Sequence, residues 1–169
     1  MLVKNIATER LDIVPLSREL VDALADPAAA ARLVGASLPR GWPDHELSQL
    51  LELYAPRIAQ KLDELGYGPS VVISREGDSV VGSAGFLGAP NKDGAIELGF
   101  GIHPDFRNRG YAAEAARALL AWGLNQPSVE RIVARCDAGN ASSVRVLEKI
   151  GMTLLGEEDG TLRWATESS

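Results

Sequence analysis

The chain of 169 residues contains one cysteine and two histidines. The single cysteine, Cys136, excludes an intramolecular disulfide framework and favours a reducing compartment. Because these three residues are widely separated along the chain, their spacing predicts no metal site. No apolar run approaches the roughly 18 residues of a membrane span, and the first residues lack the apolar segment of a signal peptide. We therefore expect a cytoplasmic protein with no bound metal and no membrane partner.

The sequence also has little positive charge. Its 17 lysines and arginines are outnumbered by 23 acidic residues, which gives a net charge of -6. Proteins that bind nucleic acids need clustered positive charge, so a nucleic-acid partner is not expected. A mildly acidic surface is compatible with a cationic amine as substrate. The length and the hydrophobic fraction of 46% are typical of one soluble domain, here spanning residues 1–169.

The order of the apolar patterns predicts a mixed α/β domain. A strand at 10–16 is followed by a largely helical region at 17–65, which a loop rich in proline and glycine interrupts at 38–43. Asp44 is predicted to cap the helix after that loop. The remaining strands are predicted at 71–74, 79–82, 95–103, 129–136, 152–157 and 161–165, and the remaining helices at 112–124 and 142–150.

The segment from 102 to 112 has features that favour phosphate binding. A predicted strand runs into a short loop, and the loop opens directly into a helix. The first N–H groups of a helix lack intrahelical partners and carry partial positive charge, so they receive phosphate oxygens well. Arg107 and Arg109 add donors for charge-assisted hydrogen bonds. Gly110 permits positive φ or a close approach of the ligand. The G-x-x-x-x-G-K-[ST] and G-x-G-x-x-G phosphate motifs do not occur.

Two blocks of sequence resemble one enzyme family. The pattern Arg107-x-x-Gly110-x-Ala112 is similar to the (Q/R)-x-x-G-x-(G/A) signature of the GCN5-related N-acetyltransferases, abbreviated GNAT. The block from 140 to 152 resembles the later motif of that family, N-x-x-A-x-x-x-Y-x-K-x-G-F, with the Asn, Lys and Gly in register. The segments at 8–11, 97–100 and 110–115 resemble the RimJ/RimL-like branch, which acetylates ribosomal proteins.

This resemblance implies a GNAT-like fold, in which a mixed and mostly antiparallel sheet is flanked by helices and two strands splay apart. It implies acetyl-CoA as the acetyl donor and a primary amine that attacks the thioester directly in a ternary complex. The loop amides would hold the pyrophosphate, and the pantetheine would pair with the strand before the loop. The residues that the resemblance places on the donor are Phe100, Ile102, His103, Arg107, Asn108, Arg109, Gly110, Tyr111, Ala112, Asn140 and Ser143.

The candidate general acid departs from the common family pattern. Many members carry a tyrosine seven residues after the Asn, whereas this chain has Leu147 there. In the branch that the chain resembles, a serine three residues after the Asn is the proposed replacement, and Ser143 matches it. The alternative is that Ser143 satisfies a backbone group in the first helical turn. Asn140 is predicted as a helix N-cap, which does not exclude contact with the donor.

The candidate general base is Glu97. In a strand, Glu97 shares one face with Gly99 and Gly101, and a surface without side chains leaves room for a ligand. The alternative is a solvated or ion-paired carboxylate. The side chain of His103 is interpreted as a strand-end group rather than a base. Trp42 has two interpretations of equal standing, a lining residue of the acceptor pocket or a residue that packs its loop.

The acceptor amine remains open at this stage. A protein N-terminus, a small metabolite, a polyamine and an aminoglycoside are all compatible with the motifs, and the chain is expected to be a monomer or a homodimer. A different hypothesis is a non-catalytic module that senses acetyl-CoA, which Leu147 favours. Turnover with any amine would decide against the sensor hypothesis.

Overall fold

The described N-terminal residues form two short strands and three helices. A computed structural model describes residues 5–59 and 66–167. The N-terminal elements are β1 (Ile6–Ala7), β2 (Leu11–Pro15), α1 (Arg18–Ala23), α2 (Pro27–Val34) and α3 (His45–Ala59). Residues 60–65 of the predicted helical region lie outside the described residues. None of the described helices is long and apolar enough to cross a membrane.

The helical region predicted before the proline-rich loop consists of two helices, α1 and α2. Asp26 accounts for the break, because its Oδ1 accepts hydrogen bonds from the N–H groups of Ala28 at 3.2 Å and Ala29 at 3.4 Å. Pro27 follows as the first residue of α2, where its missing N–H costs nothing. The predicted cap of α3 is confirmed, since Asp44 Oδ1 accepts from the N–H of Leu47 at 2.8 Å.

The remaining elements complete a mixed sheet. They are β3 (Pro69–Ser74), β4 (Ser79–Phe86), β5 (Ala95–Ile102), α4 (Tyr111–Leu124), β6 (Arg131–Asp137), α5 (Ala141–Lys149), β7 (Thr153–Glu158) and β8 (Thr161–Ala165). The described residues form eight strands in the order β1-β2-β3-β4-β5-β6-β8-β7. β5 and β6 are parallel, and the other neighbours are antiparallel. Helix α4 supplies the crossover that a parallel pair requires.

The parallel strands separate partway along their length. β5 and β6 pair from Ala95 with Arg131 up to Leu98 with Ala134. β5 then continues beside β4 to Ile102, whereas β6 continues beside β8 to Asp137. A gap therefore opens between the two strands just before the loop that precedes α4. The predicted fold class, a mostly antiparallel sheet with splayed strands, is confirmed.

The sheet separates two hydrophobic clusters. The larger cluster lies against α4 and α5 and includes Phe86, Ile96, Leu98, Leu119, Ile132, Leu147 and Trp164. The second lies under α1, α2 and α3 and includes Leu16, Leu20, Trp42, Leu47, Leu51, Val71 and Val80. Burial of such a side chain contributes about 1.5–3 kcal/mol, so both helical layers are held on the sheet by apolar contact. Trp42 is 8% exposed within the second cluster, which supports the packing interpretation.

Candidate active site

The loop between β5 and α4 presents backbone N–H groups. It begins with a turn of 3-10 helix at Pro104–Phe106 and contains two residues of positive φ, Asn108 at 64° and Gly110 at 81°. Gly110 is the N-cap of α4, and no side chain caps this helix in the described structure. The first N–H groups of α4 consequently have no intrahelical or capping partner among the described residues. The loop can accept an anion there.

This loop forms one wall of a cleft of about 570 Å³. The end of β5 and the start of α5 form the other walls. The predicted donor residues that line the cleft are Phe100, Ile102, Arg107, Asn108, Gly110, Tyr111, Ala112, Asn140 and Ser143. Arg107 also stabilises the mouth, because its Nε donates to the carbonyl of Ile102 at 3.0 Å. The structure thus brings nine of the eleven predicted donor residues to one cleft.

His103 is the first of the two exceptions, since it does not line the cleft, and the contact of its backbone with the pantetheine stays a prediction. Its N–H donates to the carbonyl of Val81 at 2.8 Å, and its carbonyl accepts from Phe106 at 2.9 Å. Both ring nitrogens are engaged as well, Nε2 with the Arg40 carbonyl and Nδ1 with the Asp105 N–H. His103 therefore fixes the start of the loop, in agreement with its interpretation as a strand-end residue.

Arg109 is the second exception. Its guanidinium lies 5.4 Å from the centroid of the Phe106 ring, and its Nη2 donates weakly to the Asp105 carbonyl at 3.4 Å. The side chain lines a shallow open depression on the other side of the loop, with Arg10, Arg117 and others. The side chain of Arg109 is therefore turned away from the cleft.

The edge of β5 in the gap has the backbone pattern that another strand would need. Leu87 donates its N–H to the carbonyl of Glu97 at 2.9 Å, and His103 donates to β4 in the same way. Odd-numbered residues of β5 therefore direct their backbone groups toward β4. In an extended strand the alternate residues point the opposite way, so Phe100 and Ile102 direct theirs into the gap.

The start of α5 faces the same cleft. Asn140 caps this helix as predicted, since its Oδ1 accepts from the N–H of Ser143 at 3.1 Å. The Ser143 hydroxyl has no hydrogen-bond partner in the described part of the chain, so the alternative that it satisfies a backbone group finds no support. Leu147 is 1% exposed in the larger core. The position of the family tyrosine is thus filled by a packing residue.

Glu97 is ion-paired across the two strands. Arg135 donates from Nε to one Glu97 carboxylate oxygen at 2.6 Å and from Nη2 to the other at 3.2 Å. This hydrogen-bonded pairing raises the pKa of Arg135 above its ordinary value. The Glu97 side chain is 23% exposed and lies where β5 and β6 begin to separate. The ion-paired interpretation therefore describes Glu97 in this structure.

A smaller hollow lies on the opposite face of β4 and β5, under α3. Its volume is about 110 Å³. Its floor is the backbone of Gly85, Gly99 and Gly101, and its walls include Asp44, Leu47, Leu50, Leu87 and Phe100. Phe100 and Gly101 line both the hollow and the cleft, so the two cavities meet at β5. A second substrate in the hollow would approach the cleft from the far side of that strand.

Sequence reasoning missed several residues of the two cavities. Arg145 and Lys149 line the cleft from α5, and their spacing of four residues on one helix was an available signal. Asp44 was interpreted as a cap only, although it also lines the hollow. Arg135 had no signal in the sequence as the partner of Glu97, because the pair depends on the register of two distant strands.

The chain matches a family of known enzymes both by its sequence profile and by a curated relative. The profile described as "Acetyltransferase (GNAT) domain" matches residues 10–153. The N-acetyltransferase YjdG of Bacillus subtilis, itself described as uncharacterised, is 30% identical over 148 residues, which cover 87% of this chain and 88% of YjdG.

Two solved structures illustrate the shared fold. The ribosomal-protein-S5-alanine acetyltransferase from Vibrio fischeri superimposes with a TM-score of 0.71 at 16% identity, covering 99% of this chain and 98% of its own. RimL, a ribosomal L7/L12 α-N-protein acetyltransferase solved with coenzyme A, gives a TM-score of 0.68 at 19% identity, covering 96% and 97%. The matching profile and relative, together with the loop, the cleft and the splayed strands, show that the chain belongs to the GNAT family and is an acetyl-CoA-dependent N-acetyltransferase.

Proposed function

We propose that this enzyme transfers the acetyl group to a primary α-amine, such as a peptide N-terminus, by direct attack in a ternary complex. The observation that carries the proposal is the splay of β5 and β6 beside the anion-binding loop. A donor held at the loop by its diphosphate would extend along the free edge of β5. Its thioester would then lie at the point where the cleft meets the smaller hollow under α3. We assign this hollow to the acceptor and call it the acceptor hollow.

The donor has matched partners along this path. Phosphate oxygens suit the free amides at the start of α4 and the positive end of its dipole. The amide groups of a pantetheine suit the backbone of Phe100 and the N–H of Ile102, whose carbonyl already accepts from Arg107, so the pantetheine would be held as an extra strand. The cleft volume of about 570 Å³ lies within the range of small-molecule sites.

Ser143 is proposed as the acid that protonates the departing thiolate. Its hydroxyl has no competing partner among the described residues, and its position in the first turn of α5 adds the positive end of a helix dipole. The thiolate would thus form beside a donor and a favourable field. Leu147 is buried, and its side chain has no proton to donate.

The choice of an α-amine follows from the bases that the site offers. Both oxygens of Glu97 are held by Arg135, and both ring nitrogens of His103 are engaged. An amine attacks only when it is neutral. A lysine amine, with a pKa of about 10.4, costs about 4–5 kcal/mol to deprotonate at neutral pH, whereas an α-amine of about 7.7–8.0 costs about 1 kcal/mol. An acceptor that is already partly neutral fits a site whose candidate bases have other partners.

A pair of matched peptides tests this function. One peptide has a free α-amine and no lysine, and the other has an acetylated N-terminus and one lysine. We expect acetyl-CoA to release CoA much faster with the first peptide at neutral pH. Faster release with the lysine peptide, or with a polyamine or an aminoglycoside, would contradict the α-amine. Tight CoA binding without turnover on any amine would favour the sensor hypothesis.

A substitution of Cys136 tests direct attack against transfer through an acetylated thiol. This thiol is half-buried on β6, where the strand pairs with β8 beyond the splay. Because no acyl-enzyme is proposed, Cys136→Ser should keep wild-type turnover with the α-amine peptide. Loss of turnover, together with an acetylated enzyme seen by intact-mass spectrometry, would replace direct attack with transfer through the thiol.

A further inference from the structure

The N-terminal segment before β2 is tied to the first turn of α4 through one carboxylate. Glu114 accepts from Thr8 Oγ1 at 2.6 Å, from the Arg10 N–H at 2.8 Å and from Arg10 Nε at 2.7 Å. Arg10 Nη2 makes one more contact with this carboxylate, at 2.7 Å from Oε2. Two of these contacts come from the Arg10 side chain and a third from its backbone, so Arg10 is held against the first turn of α4.

From that position Arg10 reaches the donor loop itself. Its Nη1 donates to the carbonyl of Arg109 at 2.9 Å, and its guanidinium lies 4.7 Å from the centroid of the Tyr111 ring. The Arg109 carbonyl and the Gly110 N–H belong to one planar trans peptide, in which the two groups point in opposite directions. Holding the carbonyl toward Arg10 therefore directs the Gly110 N–H away from Arg10.

The open depression and the cleft, which lie on opposite sides of the loop, show where this N–H points. Arg10 and Arg109 line the open depression on one side of the loop, whereas Arg107 and Asn108 line the cleft on the other side. Gly110 lies between the two and lines both. An N–H of Gly110 that points away from Arg10 is consequently presented on the side of the proposed diphosphate.

The loop needs such a support. Asn108 has a φ of 64° without being glycine, a conformation that persists only when its surroundings hold it. Glu114 also places a negative charge in the first turn of the helix that would receive phosphates. Arg10 neutralises that charge while it holds the loop.

We propose that Arg10 is a positioning residue for the donor: anchored on Glu114, it fixes the Arg109–Gly110 peptide in the orientation that binds the donor diphosphate. The proposal deepens the proposed function and rests on its assignment of the loop to the diphosphate. It predicts that Arg10 affects the affinity for the donor and has little effect on the chemical step.

The experiment measures CoA binding by calorimetry, which needs no acceptor. Arg10→Ala should raise the Kd for CoA about tenfold or more, the size expected for one lost charge-assisted hydrogen bond. Turnover at saturating acetyl-CoA should stay within about twofold of wild type. Arg10→Lys keeps the charge beside Glu114 but lacks the fork that reaches both Glu114 and Arg109. It should recover only part of the affinity.

Arg75 provides the matched control. It holds the same N-terminal segment, since it donates to the backbone carbonyls of Thr8, Glu9 and Leu11 and pairs with Asp12 at 2.8 Å. Arg75 makes no contact with the donor loop in the described residues. Arg75→Ala should therefore lower the melting temperature without raising the Kd for CoA.

The outcomes separate this inference from the function on which it rests. Wild-type affinity in a folded Arg10→Ala enzyme, full recovery by Arg10→Lys, or an equal loss in Arg75→Ala would overturn the positioning role and leave the donor site intact. Failure of the wild-type chain to bind CoA would overturn the donor site as well.

Discussion

The two cavities that meet at β5 would recognise their proposed ligands by different means. The proposed donor cleft combines backbone N–H groups of a loop and two helix starts with side chains such as Arg107 and Lys149, whereas the proposed acceptor hollow is lined by side chains of α3 over a glycine floor. Backbone recognition depends on conformation, here on positive φ at Asn108 and Gly110. Side-chain recognition depends on which residues a helix presents. A short motif is enough to preserve backbone recognition. Side-chain recognition, by contrast, can change with each substitution on α3.

The largest effect is expected where the donor cleft depends on conformation. Gly110→Asp adds a negative charge beside the proposed phosphate site, with its Cβ 3.4 Å from Arg10 Nη2, and forces a side chain into a φ of 81°. We expect the affinity for acetyl-CoA in calorimetry to fall by at least about 100-fold, since both strain and charge repulsion oppose binding.

Gly160→Asp is the matched control. Gly160 has a φ of 79° at the tip of the β7–β8 hairpin and does not line the cleft, so the substitution adds a similar strain and the same charge outside the cleft. It should leave acetyl-CoA binding unchanged. Equal binding by a folded Gly110→Asp enzyme would show that the loop is not the donor site.

The second effect concerns the chemical step at the border of the cleft. Ser143→Ala should lower turnover by about 100-fold, with little change in the affinity for acetyl-CoA, because a general acid acts in the transition state. Ser142 is the neighbouring hydroxyl that also lines the cleft, and Ser142→Ala should keep turnover. If both variants turn over like wild type, Ser143 has no role as an acid.

A smaller effect is expected from the carboxylate that anchors Arg10. Burial raises the pKa of Glu114, but hydrogen bonds from Thr8 and Arg10 outweigh it, and the pKa is lowered from its ordinary value of 4.5. A lowered folded-state pKa gives a stabilisation that is complete above the unfolded value and is lost as the pH falls through the folded value. Glu9, Arg10, Arg109, Arg117 and Lys149 line the same open depression as Glu114.

Denaturant unfolding of wild type and Glu114→Gln measures this contribution. The difference in the free energy of unfolding should be constant between about pH 5 and 7 and should shrink below about pH 4.5. A difference that persists in acid would mean that the carboxylate charge does not hold the N-terminal segment on α4. The donor loop would then be supported by other contacts.

The same contrast explains what the sequence could predict. The donor loop is contiguous, so its strand, its glycine and its helix could be predicted together, and nine of eleven predicted contacts reach the cleft. The side-chain direction of Arg109 could not be predicted, because it follows from the nearby Phe106 ring and the Asp105 carbonyl. The backbone partner of His103 could not be predicted either, because the register of β5 on β4, which uses its N–H, lies outside the motif.

Contacts between distant segments were hidden for a related reason. Glu97 and Arg135 are 38 positions apart, and Arg10 and Glu114 are 104 apart. Both pairs form only when the strand order and the crossover of α4 bring the segments together. The break at Asp26, by contrast, had a local signal in the sequence Asp26-Pro27, where a capping residue precedes a proline.

In the proposed reaction, a neutral α-amine attacks the donor without a strong enzymatic base. The most direct test is the pH dependence of kcat/KM for the α-amine peptide, measured in wild type and in Glu97→Gln. We expect kcat/KM to rise with pH to a plateau above about pH 8, following the α-amine pKa of about 7.7–8.0, with the same midpoint in both enzymes. A wild-type profile that is flat from about pH 6 to 9, together with a large loss in Glu97→Gln, would contradict the claim and establish Glu97 as the general base.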